Sequence, residues 1–148
     1  MRGCAYRAAV FQPAVIIGLL QTSEYARAIL SSAQVLPFPA GESGSSGAVS
    51  EAVSARVRRH EVLAGTHKSF FFLMTESVLA NRLSRPADMV AQIERLREVS
   101  AQDNVDMRII PAGAKLMLPP YHGFELLDER WGGPIGWLEQ HGFDADER

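Results

Sequence analysis

The chain has 148 residues, 47% of them hydrophobic and 22% charged, proportions that suit one globular domain with one core. Lys and Arg number 15 against 17 Asp and Glu, and the net charge of −2 excludes a chain-wide electrostatic attraction for nucleic acid. The single cysteine, Cys4, excludes an intrachain disulfide, and His60, His67, His122 and His141 are too scattered for a structural zinc pattern.

Met1 to Val10 carries Arg2 and Arg7 and no continuous apolar run, which argues against a signal peptide. Tyr6 to Gln12 reads as a short strand, ended by Pro13 because proline has no amide to donate. Ala14 to Leu20 is the longest apolar stretch; it is interrupted by Gly18 and too short to span a bilayer, so the expected location is the cytoplasm. Val15, Ile16, Ile17, Leu19 and Leu20 form a knot that should be buried. Thr22 or Ser23 then supplies a hydroxyl to cap a helix that aligns Ala26, Ile29, Leu30 and Ala33, leaving Arg27 and Ser31 outside the stripe.

Leu36 to Ser50 is rich in Pro, Gly, Ser and Ala and is expected to be a flexible surface connector within one domain. A second helix follows over about Glu51 to Leu63, with Val49, Val53 and Val57 as its buried stripe and Gly65 as its stop. Ser69 to Thr75 is an unbroken apolar run that suits a strand buried on both faces. Glu76 to Leu83 predicts a short helix. Pro86 opens the clearest amphipathic helix, expected to bury Met89 or Val90, Ile93, Leu96 and Val99 and to show Gln92, Glu94, Arg95 and Glu98 to water.

Val105 to Ile110 reads as a strand closed by Pro111 and Gly113, and Lys115 to Tyr121 as a loop. Phe124 to Leu127 and Ile135 to Glu139 suggest two more strands about a turn at Gly132–Gly133. The expected architecture is α/β or α+β: one domain over residues 1–148, with a mixed sheet of about five strands covered by three or four helices. The last three strands fit an antiparallel meander.

No phosphate-binding glycine loop or serine elbow is present, and Cys4 and the histidines give no recognisable nucleophile–base pair, so no catalytic residue is assigned. No metal and no organic cofactor is implied. Arg56, Arg58, Arg59, His60 and Lys68 form the one basic cluster, which suits either an acidic partner or a solvated helix face balanced by Glu51 and Glu61. Glu76, at the end of the buried strand, suits a helix cap or a ligand contact. Glu139 suits a ligand contact or a structural pair with an arginine of the second helix. Tyr121, Trp131, Trp137 and Phe143 suit an interface or one end of the core.

Several segments together resemble the domain that follows the helix-turn-helix in actinobacterial regulators of the WhiJ type, the antitoxin-like transcriptional regulators. The residues that carry the resemblance are Gly18–Leu19–Leu20–Gln21–Thr22 with Tyr25–Ala26–Arg27–Ala28, then Arg56 to Leu63, then Phe71 to Glu76. Gln92 to Leu96, Asn104–Val105, Ile109–Ile110–Pro111 with Gly113, and Trp137–Leu138–Glu139 continue it in order. Ile17 stands where the family has proline, His60 where it has glutamine, and Thr75 where it has aspartate.

The resemblance implies a regulatory module that binds an effector or a partner and controls a helix-turn-helix located elsewhere. No DNA-binding domain is recognised in residues 1–148, so direct nucleic acid binding is not expected, nor is a membrane. Expected partners are a small protein or a full-length helix-turn-helix relative, with a homodimer as an option. Candidate contact residues are Gln21, Thr22, Tyr25, Arg56, Arg59, Glu76 and Glu139. Two alternatives stand beside this: a small-molecule-binding protein or enzyme with a pocket between sheet and helices, and a truncated fragment without independent function.

Overall fold

Five strands form one mixed sheet of order β3-β2-β1-β4-β5. The structure, a computed structural model, describes residues 6–33, 46–65, 67–117, 119–129 and 133–137. Strands β1 (Tyr6–Gln12), β2 (Lys68–Thr75) and β3 (Val105–Ile110) run parallel, while β4 (Phe124–Glu129) and β5 (Gly133–Trp137) join antiparallel. Parallel neighbours need long crossovers. Helices α1 (Ser23–Ala33) and α2 (Ser46–Arg58) provide the first, and α3 (Glu76–Ala80) and α4 (Pro86–Ser100) the second. Two 3-10 turns, Gly18–Leu20 and Arg59–Ala64, complete the helical layer.

The register sets Val10 beside Phe72 and Phe72 beside Met107, with Ala8, Phe70 and Val105 in the next row. These side chains face the helices and form one core with Tyr25, Leu63, Leu96 and Val99. Ala26, Val49 and Val53, with Leu30 against them, make a smaller separate cluster that joins α1 to α2. The opposite sheet face carries Ala9, Phe11, Phe71, Leu73, Phe124 and Leu126, and the last two are exposed.

Several sequence expectations are corrected. The last three strands are not a meander: β3 lies at the far edge, and β4 pairs with β1. Helix α2 begins at Ser46, so the expected connector cannot reach Ser50; residues 36–45 lie outside the described ones. The α-helix ends at Arg58 and the segment after it tightens into the 3-10 turn, and Val57 is exposed rather than part of the buried stripe. Strand β2 buries Phe70, Phe72 and Met74 on the helix side only, and Phe71 and Leu73 are half-buried. In α4 the inward residues are Gln92, Leu96 and Val99 with Met89 partly buried, whereas Val90 is 64% and Ile93 40% exposed.

Gln92 explains that rotation. Its Oε1 accepts from the Thr22 amide at 2.7 Å and its Nε2 donates to the Leu20 carbonyl at 2.7 Å. A buried amide that answers one backbone donor and one backbone acceptor has a partner at both its oxygen and its nitrogen. Leu20 to Thr22 lies between two helical segments, so these backbone groups take their partners from a side chain.

Candidate functional site

Pro13 stops β1, and the chain then crosses the top of the sheet as an irregular segment before the Gly18–Leu20 turn. Side chains satisfy this segment's backbone. The Ile16 amide donates to the Tyr25 hydroxyl at 3.3 Å, and the Ile16 carbonyl accepts from Gln21 Nε2 at 2.6 Å. Arg56 Nη1 in turn donates to Gln21 Oε1 at 2.7 Å. Gln21 thus links α2 to the loop after β1.

Beside this linkage lies a cavity of about 140 Å³. Val10 and Gln12 of β1, Ile16 to Leu19 and Ile29 form much of its wall. Gln21, Arg56 and Arg59 supply polar groups, and Phe124 and Glu125 close the β4 side. The position follows from topology. From β1 the chain moves to β2 and β3 on one side, then returns to place β4 on the other. The carboxyl end of β1 therefore lies beside the start of the antiparallel β4, and the cavity opens between them.

Gln21, Arg56 and Arg59 therefore meet at one place, although 35 residues separate Gln21 from Arg56. The basic cluster divides: Arg56 is half-buried and tied to Gln21, while Arg58 and Arg59 are exposed. Thr22 acts as a cap, its Oγ1 accepting from the Tyr25 amide at 3.3 Å. Tyr25 is fully buried, and burial raises its phenol pKa above the ordinary value against a lowering by the Ile16 hydrogen bond. Glu76 is neither a cap nor in the cavity wall; its Oε2 accepts from the Ala112 amide at 2.7 Å and ties the segment after β3 to the end of β2. Glu139, with Trp131 and Phe143, lies outside the described residues, and Tyr121 is exposed.

Sequence reasoning missed Gln12 and Glu125 in the wall; Gly18, from the segment that carries the resemblance, also lines it, and His60 of the basic cluster does not. A glutamine ending an apolar strand just before proline was a usable signal for Gln12, because a polar side chain there must find a partner inside. The Nε2 atom of His60 is buried without a hydrogen-bond partner among the described residues. Burial first, then the nearby Arg95 charge, lower its pKa below the usual imidazole value, against a raising hydrogen bond with the Gln21 backbone. No helix of the described residues is long and apolar enough to cross a membrane.

Comparisons with curated proteins and with solved structures find no match. A family model described as a domain of unknown function, DUF5753, matches residues 4–145. That span takes in every described strand and helix and the whole cavity wall, and the chain belongs to the DUF5753 family.

Proposed function

We propose that the chain is a regulatory effector-binding module, of the kind found in WhiJ-type antitoxin-like regulators, and that the effector occupies the cavity at the end of β1. The observation that carries this reading is the half-buried Arg56 bonded to buried Gln21 in the wall of a cavity at the carboxyl end of β1. The Gly18–Gln21 stretch that carries the family resemblance forms part of the same wall.

Such a site is suited to regulation because it touches several elements at once. A molecule in it meets the end of β1, the 3-10 turn after it, α1 through Ile29, α2 through Arg56, and the start of β4. Helix α2 is attached to α1 by small side chains, Ala26, Val49 and Val53, and by the Arg27–Ser50 hydrogen bond at 3.2 Å. Its tie to the loop after β1 is the Arg56–Gln21 bond. A ligand that competes for or reinforces that bond biases how α2 sits, and α2 then offers a changed surface to a small protein partner or a helix-turn-helix relative. The role is binding in the cytoplasm, without turnover.

A thermal-shift panel of small anions, cations and neutral compounds tests this. At least one compound should raise the melting temperature of the wild type and slow amide exchange in α2. The Gly18→Leu variant should lose the response: Gly18 lines the cavity, and a Cβ there meets nothing within 4 Å, so a larger side chain is added without a backbone clash. A panel with no stabilising compound, or one whose hits act equally on Gly18→Leu, refutes the proposal.

A further inference from the structure

We infer that the effector is a small monoanion with an apolar body, a carboxylate of about benzene-ring size, held by Arg59. The inference rests on the proposed effector site and adds the chemical class of its ligand.

Size sets the first limit. A cavity of about 140 Å³ is close to one that accommodates benzene in a protein interior. Nucleotides, dinucleotides and peptides are too large to be enclosed there. The wall sets the second limit: Val10, Val15, Ile16, Ile17, Leu19 and Ile29 offer hydrocarbon over about half of the surface, and the rest is polar. An apolar body gains from filling such a space, and a fully hydrated ion does not.

Charge sets the third. Two guanidinium groups, Arg56 and Arg59, and one carboxylate, Glu125, line the cavity, so its formal charge is +2 − 1 = +1. Arg56 is held by Gln21 and Glu125 has a partner of its own. Arg59 follows Arg56 by three residues, which places both on the same side of the helical path. Its guanidinium has no hydrogen bond or ion pair among the described residues. An exposed arginine in the wall of a half-apolar cavity offers a planar fork that matches a carboxylate in bidentate fashion. The rest of the ligand then points inward, past Gln21 and Gln12, whose amides are buried in the wall.

Benzoate, benzamide and benzamidine have nearly one shape and carry charges of −1, 0 and +1. Each is titrated against the full chain by calorimetry, up to about 10 mM, where a ligand of millimolar affinity is bound. Benzoate should bind about ten- to a hundredfold more tightly than benzamide, the range a charge-assisted pair provides, and benzamidine more weakly still. In Arg59→Gln the preference for benzoate over benzamide should disappear while benzamide binding persists. Arg58→Gln, next along the chain and not in the cavity wall, should leave both affinities unchanged. Gly18→Leu should weaken all three.

Benzamide or benzamidine binding as well as benzoate, or an undiminished preference in Arg59→Gln, overturns the anion assignment; the effector site survives that result if Gly18→Leu still removes binding. Failure of all three compounds overturns the size and charge assignment, and the broader thermal-shift panel then decides whether the site itself stands.

Discussion

Replacing Gln92 tests whether a side chain holds the crossing from the first 3-10 turn into α1. Gln92→Leu keeps approximate volume and removes both hydrogen bonds, leaving the buried Leu20 carbonyl and the part-buried Thr22 amide without their partner. The buried carbonyl should cost about 2 kcal/mol and the part-buried amide about 1 kcal/mol. The added apolar burial of leucine offsets about 1 kcal/mol, so the net loss is about 2 kcal/mol. With a urea m-value of about 2 kcal/mol/M, the unfolding midpoint should fall by about 1 M at unchanged m. Gln92→Glu separates the two bonds. Its carboxylate still accepts from Thr22, but as an anion it confronts the Leu20 carbonyl and is buried. Burial raises the folded-state pKa of the new carboxyl above its unfolded value, so this variant should be most stable at low pH and lose stability as pH rises through the folded pKa. A Gln92→Leu midpoint within experimental error of wild type, or a Gln92→Glu variant that gains stability relative to wild type as pH rises, would refute the reasoning.

Gly123→Ala should lose about 1–3 kcal/mol in urea unfolding, a typical cost of overpacking, because a Cβ there would lie 2.7 Å from the Phe11 carbonyl and 2.6 Å from Gln12 Nε2. Asn104→Ala should lose about 1–2 kcal/mol, since Asn104 Nδ2 donates to the carbonyls of Leu63 at 2.9 Å and Lys68 at 3.2 Å; amide exchange at Phe70, whose N–H bonds the Asn104 carbonyl, should quicken. His60 has a lowered folded-state pKa, so below about pH 6.5 the unfolded chain binds more protons than the folded one. Its contribution to stability is full above that pH and declines as pH falls toward the folded pKa. Urea midpoints measured across this range should show the decline in the wild type and a smaller one in His60→Leu; equal slopes would refute it.

The strands and their order along the chain were legible because buried strand residues must be apolar and proline and glycine bound them. Val105 to Ile110 is found with the expected limits, and Tyr6 to Gln12 likewise. Strand adjacency was not legible, since pairing of β1 with β4 is decided by non-local contacts that leave no periodic trace. Helix α4 misled for a different reason. Hydropathy assigns glutamine to water, yet Gln92 is buried because backbone groups elsewhere need it, and Val90 and Ile93 turn outward as a result. The candidate site was half legible. Gln21, Arg56 and Arg59 stood out from the residues that carry the family resemblance and from the basic cluster, but the cavity between them exists only once α2 is folded back over the end of β1. Glu125 gave no advance signal, because an isolated carboxylate near a strand start is ordinary surface composition.

The placement of β1 at the middle of the sheet bears on how the chain acquires its fold. This strand comes first among the described elements, yet one flank is completed by β2 and the other only by β4, after β3 has been made. Distant pairings of this kind raise contact order and slow folding. During synthesis, Ala8, Val10 and Phe11 emerge long before Phe124 to Glu129 can pair with them. Until β4 is made, a nascent chain presents an unpaired apolar strand edge, a state prone to misassociation and a substrate for chaperones.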